Sequence, residues 1–436
     1  MKAESGAGSV NRVPHVHSRA MIDWPAVHRE ALEIFVRYLQ IDTSNPPGNE
    51  KPAARYLGSL CEAEGIAVEY IETAPNREIM VARLSGDGSK RPIMLCNHTD
   101  VVPVEEQYWD MPAFEGVIQD GKVFGRGAVD MKGCGVMQLI AFLLLKRQGV
   151  SLKRDVVFCA VPDEEAGSDW GMRWLCDNRP DIVDVEFELS EGGGGSTRFG
   201  RQDTRLFSVA TNEKDICWTK LTAVGRPGHG SVPHADNSAV YLVRALERLT
   251  SWEQPLTFTP DTETYIARLA EAGLMPEAGD PVALEARIRA APELLAMFIN
   301  TLNLTMLKAG IKANVIPAKS EAILDCRLLP GQTKEDWLNK VRERIDDDRI
   351  TVETHETVQG EPQRVSWDTE LFHVINDVVK ASMEDAVVVP GMTIGGPTTG
   401  SCGRRASRPT GSFPACFRRR SGGASTGTTS SSRSRT

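Results

Sequence analysis

Four short stretches of the chain carry side chains suited to holding a divalent cation and moving a proton. Cys96–Pro103 reads C-N-H-T-D-V-V-P, Gly125–Gly133 reads G-R-G-A-V-D-M-K-G, Val161–Gly167 reads V-P-D-E-E-A-G, and Leu189–Gly194 reads L-S-E-G-G-G. In each, an apolar, strand-like run ends in an imidazole or a carboxylate. An α/β sheet that delivers His98, Asp130, Glu164, Glu165 and Glu191 to its strand ends has the means to build a two-metal hydrolytic site.

Taken singly, each group also has a plainer reading. His98 and Asp100 form H-x-D, and a carboxylate two residues on can steady the second ring nitrogen of a metal-bound imidazole, but a lone H-x-D is weak. Asp130 follows the turn-forming glycines Gly125 and Gly127 and precedes a helix, so it could serve as an N-cap. Glu164 and Glu165 could be a solvated acidic turn, and Glu191 plain loop chemistry. Adjacent carboxylates repel unless a cation or a proton intervenes, which lets one bind metal while the other handles a proton. Jointly the plain readings lose ground. Imidazole and oxygen donors without thiolates suit catalytic zinc, with cobalt or manganese as alternatives.

The elements that must position these groups follow from periodicity. Helical spacing over Trp24–Gln40 and about Glu50–Glu64 is followed by strand-like runs at Ala67–Ile71, Ile79–Leu84 and Pro92–Cys96, a helix over Lys132–Gln148 and a buried strand at Val156–Val161. This order implies an α/β domain with a mixed or parallel sheet. A second pattern begins near Asp215: strand Ile216–Val224, helix Ser238–Trp252, extended chain at Val315 and Ala318–Leu328, helix Lys334–Ile345 and strand Ile350–Thr354. With a helical insertion over about Thr262–Lys308, it reads as a ferredoxin-like βαββαβ unit inserted as a lid. Leu371–Met383 then reads as a helix and Ala386–Val389 as a strand returning to the first domain. The expected division is 1–20 disordered, 21–211 catalytic domain, 212–356 lid, 357–396 catalytic domain resumed, and 397–436 tail.

At 436 residues the chain is long enough for two domains or one with a large insertion, and its 41% hydrophobic and 25% charged residues are ordinary for a globular protein. A net charge of −9 argues against nucleic acid as the main partner. The sequence has no membrane-length apolar run and no leader-like segment, and the expected location is the cytoplasm. Its nine cysteines lack any C-x-x-C pair and read as buried free thiols.

Together, H-T-D-V-V-P, G-R-G-A-V-D-M-K-G and D-E-E resemble the dizinc metallopeptidases that include aminoacylase, carboxypeptidase G, acetylornithine deacetylase and succinyl-diaminopimelate desuccinylase. The likeness covers roughly Trp24–Gly396. It implies that His98 and Glu191 bind one zinc, Asp130 bridges two, Glu165 binds the second, Glu164 is the general base and Asp100 supports His98. It also implies a cis peptide at Asp130-Met131. Through G-R-P-G-H-G-S-V-P-H, N-V-I-P and D-C-R-L-L-P, it implies that His229 reaches the partner subunit's site in a homodimer to steady an oxyanion. By the same motifs Asn314 contacts substrate and Arg327 grips its carboxylate. The implied substrates are N-acyl amino acids or small peptides.

After Gly395-Gly396 this family continues with motifs like T-D-x-R-F, G-V-P-A-Y-G and H-G-x-D-E, whose histidine is the last zinc ligand. Here residues 397–436 are rich in arginine, serine and glycine, and contain no histidine, Asp, Glu, Lys, Leu, Ile or Val. Alone, such a segment reads as a disordered basic tail. Codons for Ala406–Pro414 shifted by one frame can encode G-V-P-A-Y-G-L-F, and those for Ser425–Ser430 can conceal H-G-H-D-E, so we read the tail as a frameshift product. The second zinc is then expected to bind weakly and hydrolysis to be impaired. A catalytically inactive homologue that only binds a ligand or partner is the rival reading. His373, the last histidine, lies in a predicted helix and is not expected to substitute.

Overall fold

The run V-V-F-C-A-V at Val156–Val161 is buried at every position, as a strand inside a two-faced sheet must be. The computed structural model describes residues 21–199, 202–276, 279–355 and 366–394, with the backbone of Arg419–Arg420. Val156–Val161 lies at the centre of a five-stranded sheet. The order is Val68–Ala74, Arg77–Leu84, Val156–Val161, Ile93–His98, Phe187–Leu189. The last three are mutually parallel, with His98 opposite Val161, and Arg77–Leu84 runs antiparallel to both of its neighbours, Val68–Ala74 and Val156–Val161. Three strand carboxyl ends therefore open on one edge of the sheet.

Period-two alternation separates the two faces of this sheet. Met80, Ala82 and Leu84 point into a core with Tyr38, Leu57, Leu139 and Phe142, from the helices Trp24–Leu39, Lys51–Ala63 and Lys132–Arg147. Ile79 and Val81 point the other way, against Met172, Leu175 and Ile182 from the helices Met172–Asn178 and Pro180–Val183.

A second sheet carries the βαββαβ topology. Strand Thr219–Val224, helix Ser238–Thr250, strands Thr301–Ala309 and Lys319–Leu328, helix Lys334–Ile345 and strand Ile350–Thr354 follow in that order. Every pairing is antiparallel, and the first strand lies between Lys319–Leu328 and Ile350–Thr354, with Thr301–Ala309 at the edge. Leu221, Leu324 and Val352 pack under Leu242 and Trp337 from the two helices.

The mixed α/β class and the ferredoxin-like order agree with the sequence reading, and three local expectations do not. The insertion is helical only as far as Leu295, and Thr301–Ala309, expected within it, is a strand. Leu302 and Leu304 alternate as a strand requires, and a bulge between Leu304 and Met306 then breaks the period. Val315–Ile316 leaves the sheet to pair with Gly228–His229. Gly194–Phe199 and Gln202–Glu213, where the sequence pattern predicted no element, form a hairpin, joined in parallel by Val387–Thr393. The inserted helices cover this third sheet, Ile266, Leu269 and Ile288 meeting Leu206 and Val389.

Cys61, Cys96, Cys134, Cys159, Cys217 and Cys326 are buried free thiols, as expected, whereas Cys176 is disulfide-bonded. No helix among the described residues is long and apolar enough to cross a membrane. The expected N-terminal segment 1–20 and, apart from the backbone of Arg419–Arg420, the tail 397–436 lie outside the described residues.

Candidate metal centre

Each parallel strand ends where a site residue begins. His98 is the last residue of Ile93–His98, Glu164 and Glu165 open a short 3-10 turn after Val156–Val161, and Glu191 follows Phe187–Leu189 by two residues. Asp130 arrives from the turn before Lys132–Arg147. That turn needs Gly127, whose φ is +82° and whose added Cβ would stand 2.7 Å from a Val101 methyl. The Asp130-Met131 peptide is cis. The helix N-cap is Met131 with no side-chain cap bond, so Asp130 does not serve as the cap.

His98, Asp130 and Glu191 converge, with one donor atom of each lying within 4.8 Å of the others. Nε2 of the buried His98 stands 3.2 Å from Asp130 Oδ1, 3.4 Å from Glu191 Oε1 and 4.0 Å from Glu164 Oε2. Its Nδ1 stands 3.0 Å from the backbone oxygen of Asp100. A carbonyl only accepts, so Nδ1 carries a hydrogen and Nε2 is left to face the acids. Burial alone would push His98 down, but hydrogen bonds to Asp100, Asp130 and Glu191 outweigh it and hold its pKa well above the ordinary value. Nε2 faces the point where a cation would bind. One imidazole nitrogen and two carboxylate oxygens facing one point fit a zinc-type ion.

Burial pushes Glu164 up to about 7, with the charges of Glu191, Asp100 and Asp130 adding and that of His98 opposing. Glu165 is likewise pushed up to about 7, by burial first and then by Asp130 and Glu164, again against His98. Glu165 is not one of the three converging donors, but it feels the charge of Asp130. The acids are thus crowded in a way that a bound cation would relieve.

Asp100 does more than face His98. Its Oδ1 accepts the backbone N–H of Glu164 at 3.0 Å, and its Oδ2 accepts that of Glu165 at 2.9 Å and the Asn45 amide at 2.8 Å. Sequence reasoning missed Asn45, which lies in the segment N-P-P-G between the first two helices. It also missed Arg126 of G-R-G, whose guanidinium lies 5.0 Å from the Trp109 ring and near enough to Glu165 and Asp130 to feel their charges.

The remaining predicted residues group elsewhere. His229 and Asn314 come together on the two-stranded ribbon, with Asn314 Nδ2 3.4 Å from His229 Nε2, and His229 Nδ1 lies 2.7 Å from the Ser231 hydroxyl. Arg327 donates twice to the neighbouring Asp325 carboxylate, at 2.6 and 3.0 Å. His373, on the helix Glu370–Ser382, pairs with Asp368 at 2.7 Å, as expected for a residue outside the centre.

The profile described as Peptidase family M20/M25/M40 matches residues 94–422 and so runs past Gly396 into the tail. Aminoacylase-1 of Sus scrofa is 30% identical over 302 residues, covering 69% of this chain and 66% of that protein. An N-fatty-acyl-amino acid synthase/hydrolase of Xenopus tropicalis is 29% identical over 326 residues, covering 71% and 62%. The chain thus spans slightly less than two thirds of the length of these relatives. Among solved structures, an M20 family metallo-carboxypeptidase of Sulfolobus solfataricus superposes with a TM-score of 0.64 at 17% identity, covering 88% of this chain and 91% of that one. With three quarters of its length matched by the profile, the chain belongs to peptidase family M20/M25/M40.

Proposed function

We propose that the chain is a zinc-dependent hydrolase of the amide bond in N-acyl amino acids or small peptides with a free carboxylate, built as a deacylase or exopeptidase. The observation that carries this reading is the meeting of His98 Nε2 with Asp130 and Glu191, with Glu164 4.0 Å away. In the proposed arrangement His98, Asp130 and Glu191 would hold one cation, Asp130 and Glu165 would hold a second, and cobalt or manganese could take the place of zinc. When bound, such ions polarise the scissile carbonyl and acidify a water. Glu164, beside this cluster, would take a proton from the attacking water and return it to the leaving amine. His229 steadies the developing oxyanion from a partner subunit, Asn314 contacts substrate, and Arg327 exchanges Asp325 for the substrate carboxylate, which its planar fork suits equally well.

A homodimer through the 212–356 unit belongs to the same proposal. Its support is the edge strand Thr301–Ala309, which exposes Leu304, Met306 and Leu307. An exposed apolar edge is a ready pairing surface. The missing closing histidine favours weak second-metal binding and reduced turnover, and it keeps the inactive ligand-binding homologue as a second reading. Hydrolysis of a panel of N-acetyl amino acids and dipeptides by the full chain, with zinc and with a chelator, separates the two. Zinc-dependent release of amine supports the hydrolase, and its absence on every substrate supports the second reading.

A further inference from the structure

Arg77, at the start of strand Arg77–Leu84, is a buried cation with no place in the chemistry above. Its Nη1 donates to Asp163 Oδ1 at 2.7 Å and to Glu50 Oε1 at 3.0 Å. Its Nη2 donates to Asn45 Oδ1 at 2.9 Å and to the Pro47 carbonyl at 2.8 Å. The Asn45–Gly48 turn is wrapped directly onto the guanidinium. A Cβ at Gly48, where φ is +87°, would fall 2.2 Å from Arg77 Cζ. No side chain other than hydrogen fits there.

The two residues gripped by this guanidinium lead straight to the centre. Asn45 passes its amide hydrogens to Asp163 Oδ1 at 3.1 Å and to Asp100 Oδ2 at 2.8 Å. Asp163 precedes Glu164 and sits at φ +70°, a left-handed conformation uncommon for a side-chain-bearing residue. That conformation persists only if its surroundings determine it. Here they do: Arg77 and Asn45 hold one carboxylate oxygen, and the other accepts the Trp170 N–H at 3.0 Å. Asp100 meanwhile holds the amides of Glu164 and Glu165. Both grips on the Glu164-Glu165 turn therefore lead back to one arginine.

We infer that Arg77 is a positioning residue that sets the Glu164-Glu165 turn through Asp163 and through Asn45 and Asp100, while the His98–Asp130–Glu191 donors form without it. This rests on the function proposed above for the roles of Glu164 and Glu165, but the placement of the turn can be tested without activity.

The test compares full-length chain with Arg77→Lys and Arg77→Met, using hydrogen exchange, cobalt titration and steady-state hydrolysis of an N-acetyl amino acid. In Arg77→Met, exchange across 162–171 should rise by about tenfold or more while the helix Lys132–Arg147 stays protected. The first cobalt equivalent should bind within about threefold of wild type, whereas kcat should fall about 10–100-fold with little change in KM, as for other residues that orient a site from behind. Arg77→Lys, which keeps the charge and loses the fork, should recover part of both effects. Unchanged exchange at 162–171, or an increase spread evenly over the whole five-stranded sheet, overturns the inference. If Arg77→Met does not fold, Asn45→Ala, which cuts the link from Asp163 to Asp100, is measured the same way and must loosen the same segment. A wild-type chain without hydrolysis defeats the proposed function and leaves the exchange result to decide this inference.

Discussion

Asp100 and Glu165 meet through a 2.9 Å hydrogen bond, from the backbone N–H of Glu165 to Asp100 Oδ2. The same Asp100 takes the Nδ1 hydrogen of His98 on its backbone oxygen. One buried residue therefore aligns an imidazole from one strand end and two carboxylates from the next. Asp100→Ala keeps that backbone oxygen but removes the carboxylate, whose Oδ1 also stands 3.5 Å from His98 Nδ1, so it should weaken the tight metal site about 10–100-fold, because the groups orienting a ligand matter nearly as much as the ligand. Calorimetric zinc titration of the two proteins reads this directly, and equal affinities would remove Asp100 from the account.

Glu164 is the proposed proton carrier and is not among the three converging donors. Glu164→Gln keeps the shape and abolishes the base. Turnover is expected to fall about 10²–10⁴-fold, the usual share of general acid–base catalysis. Bound metal, measured by elemental analysis, should be unchanged. Parallel loss of metal and turnover would instead make Glu164 a ligand.

The proposed second ion has Asp130 and Glu165 but lacks the closing histidine that the family resemblance leads one to expect. Zinc-loaded chain dialysed against buffer should retain about one ion per chain by elemental analysis, the site with fewer strong donors emptying first. Two ions retained per chain, with rapid turnover, would show that another residue completes the second site.

Lys214 provides a pH test away from the metal. It is fully buried, and Nζ donates to the carbonyls of Ala296 at 3.0 Å and Ile299 at 2.8 Å. Burial, with the positive charge of Arg327 adding, pushes it from 10.5 down to about 7. Between those values the unfolded chain holds the proton and the folded chain does not, so this group's contribution to stability rises with pH through that window. The slope is bounded by about 1.4 kcal/mol per pH unit. Urea denaturation at pH 7.5 and 9.5 should show wild type gaining stability relative to Lys214→Met, and identical pH dependence would contradict it.

The edge strand Thr301–Ala309 gives the assembly test. Met306→Lys places a charge on the exposed apolar edge, a device that natural edges use against pairing. Sedimentation should show wild type as a dimer and the variant shifted toward monomer at micromolar concentration. A wild type that is monomeric throughout would remove the proposed trans role of His229.

Much of the centre was legible because its residues close short local patterns. His98 ends an apolar run, Glu164 and Glu165 follow another, and glycines flag the turn before Asp130. Asn45, Arg77 and Asp163 were not legible, because their meeting depends on strand register and on contacts across 32 to 118 positions of sequence separation. Val156–Val161 reads as a buried strand from its unbroken apolar run, whereas Thr301–Ala309 reads as helix because its bulge disrupts the alternation that marks a strand. Gln202–Glu213 was missed for a related reason: its charged start and the preceding glycines resemble a loop until Val387–Thr393 pairs with it.

Cobalt titration of metal-free chain against His98→Ala, Asp130→Ala and Glu191→Ala tests the central claim most directly. Wild type should bind its first equivalent tightly, and each variant should lose more than about 100-fold in that affinity, since each removes a donor rather than a supporting group. A variant that retains wild-type affinity, above all His98→Ala, would show that these three side chains do not hold an ion together.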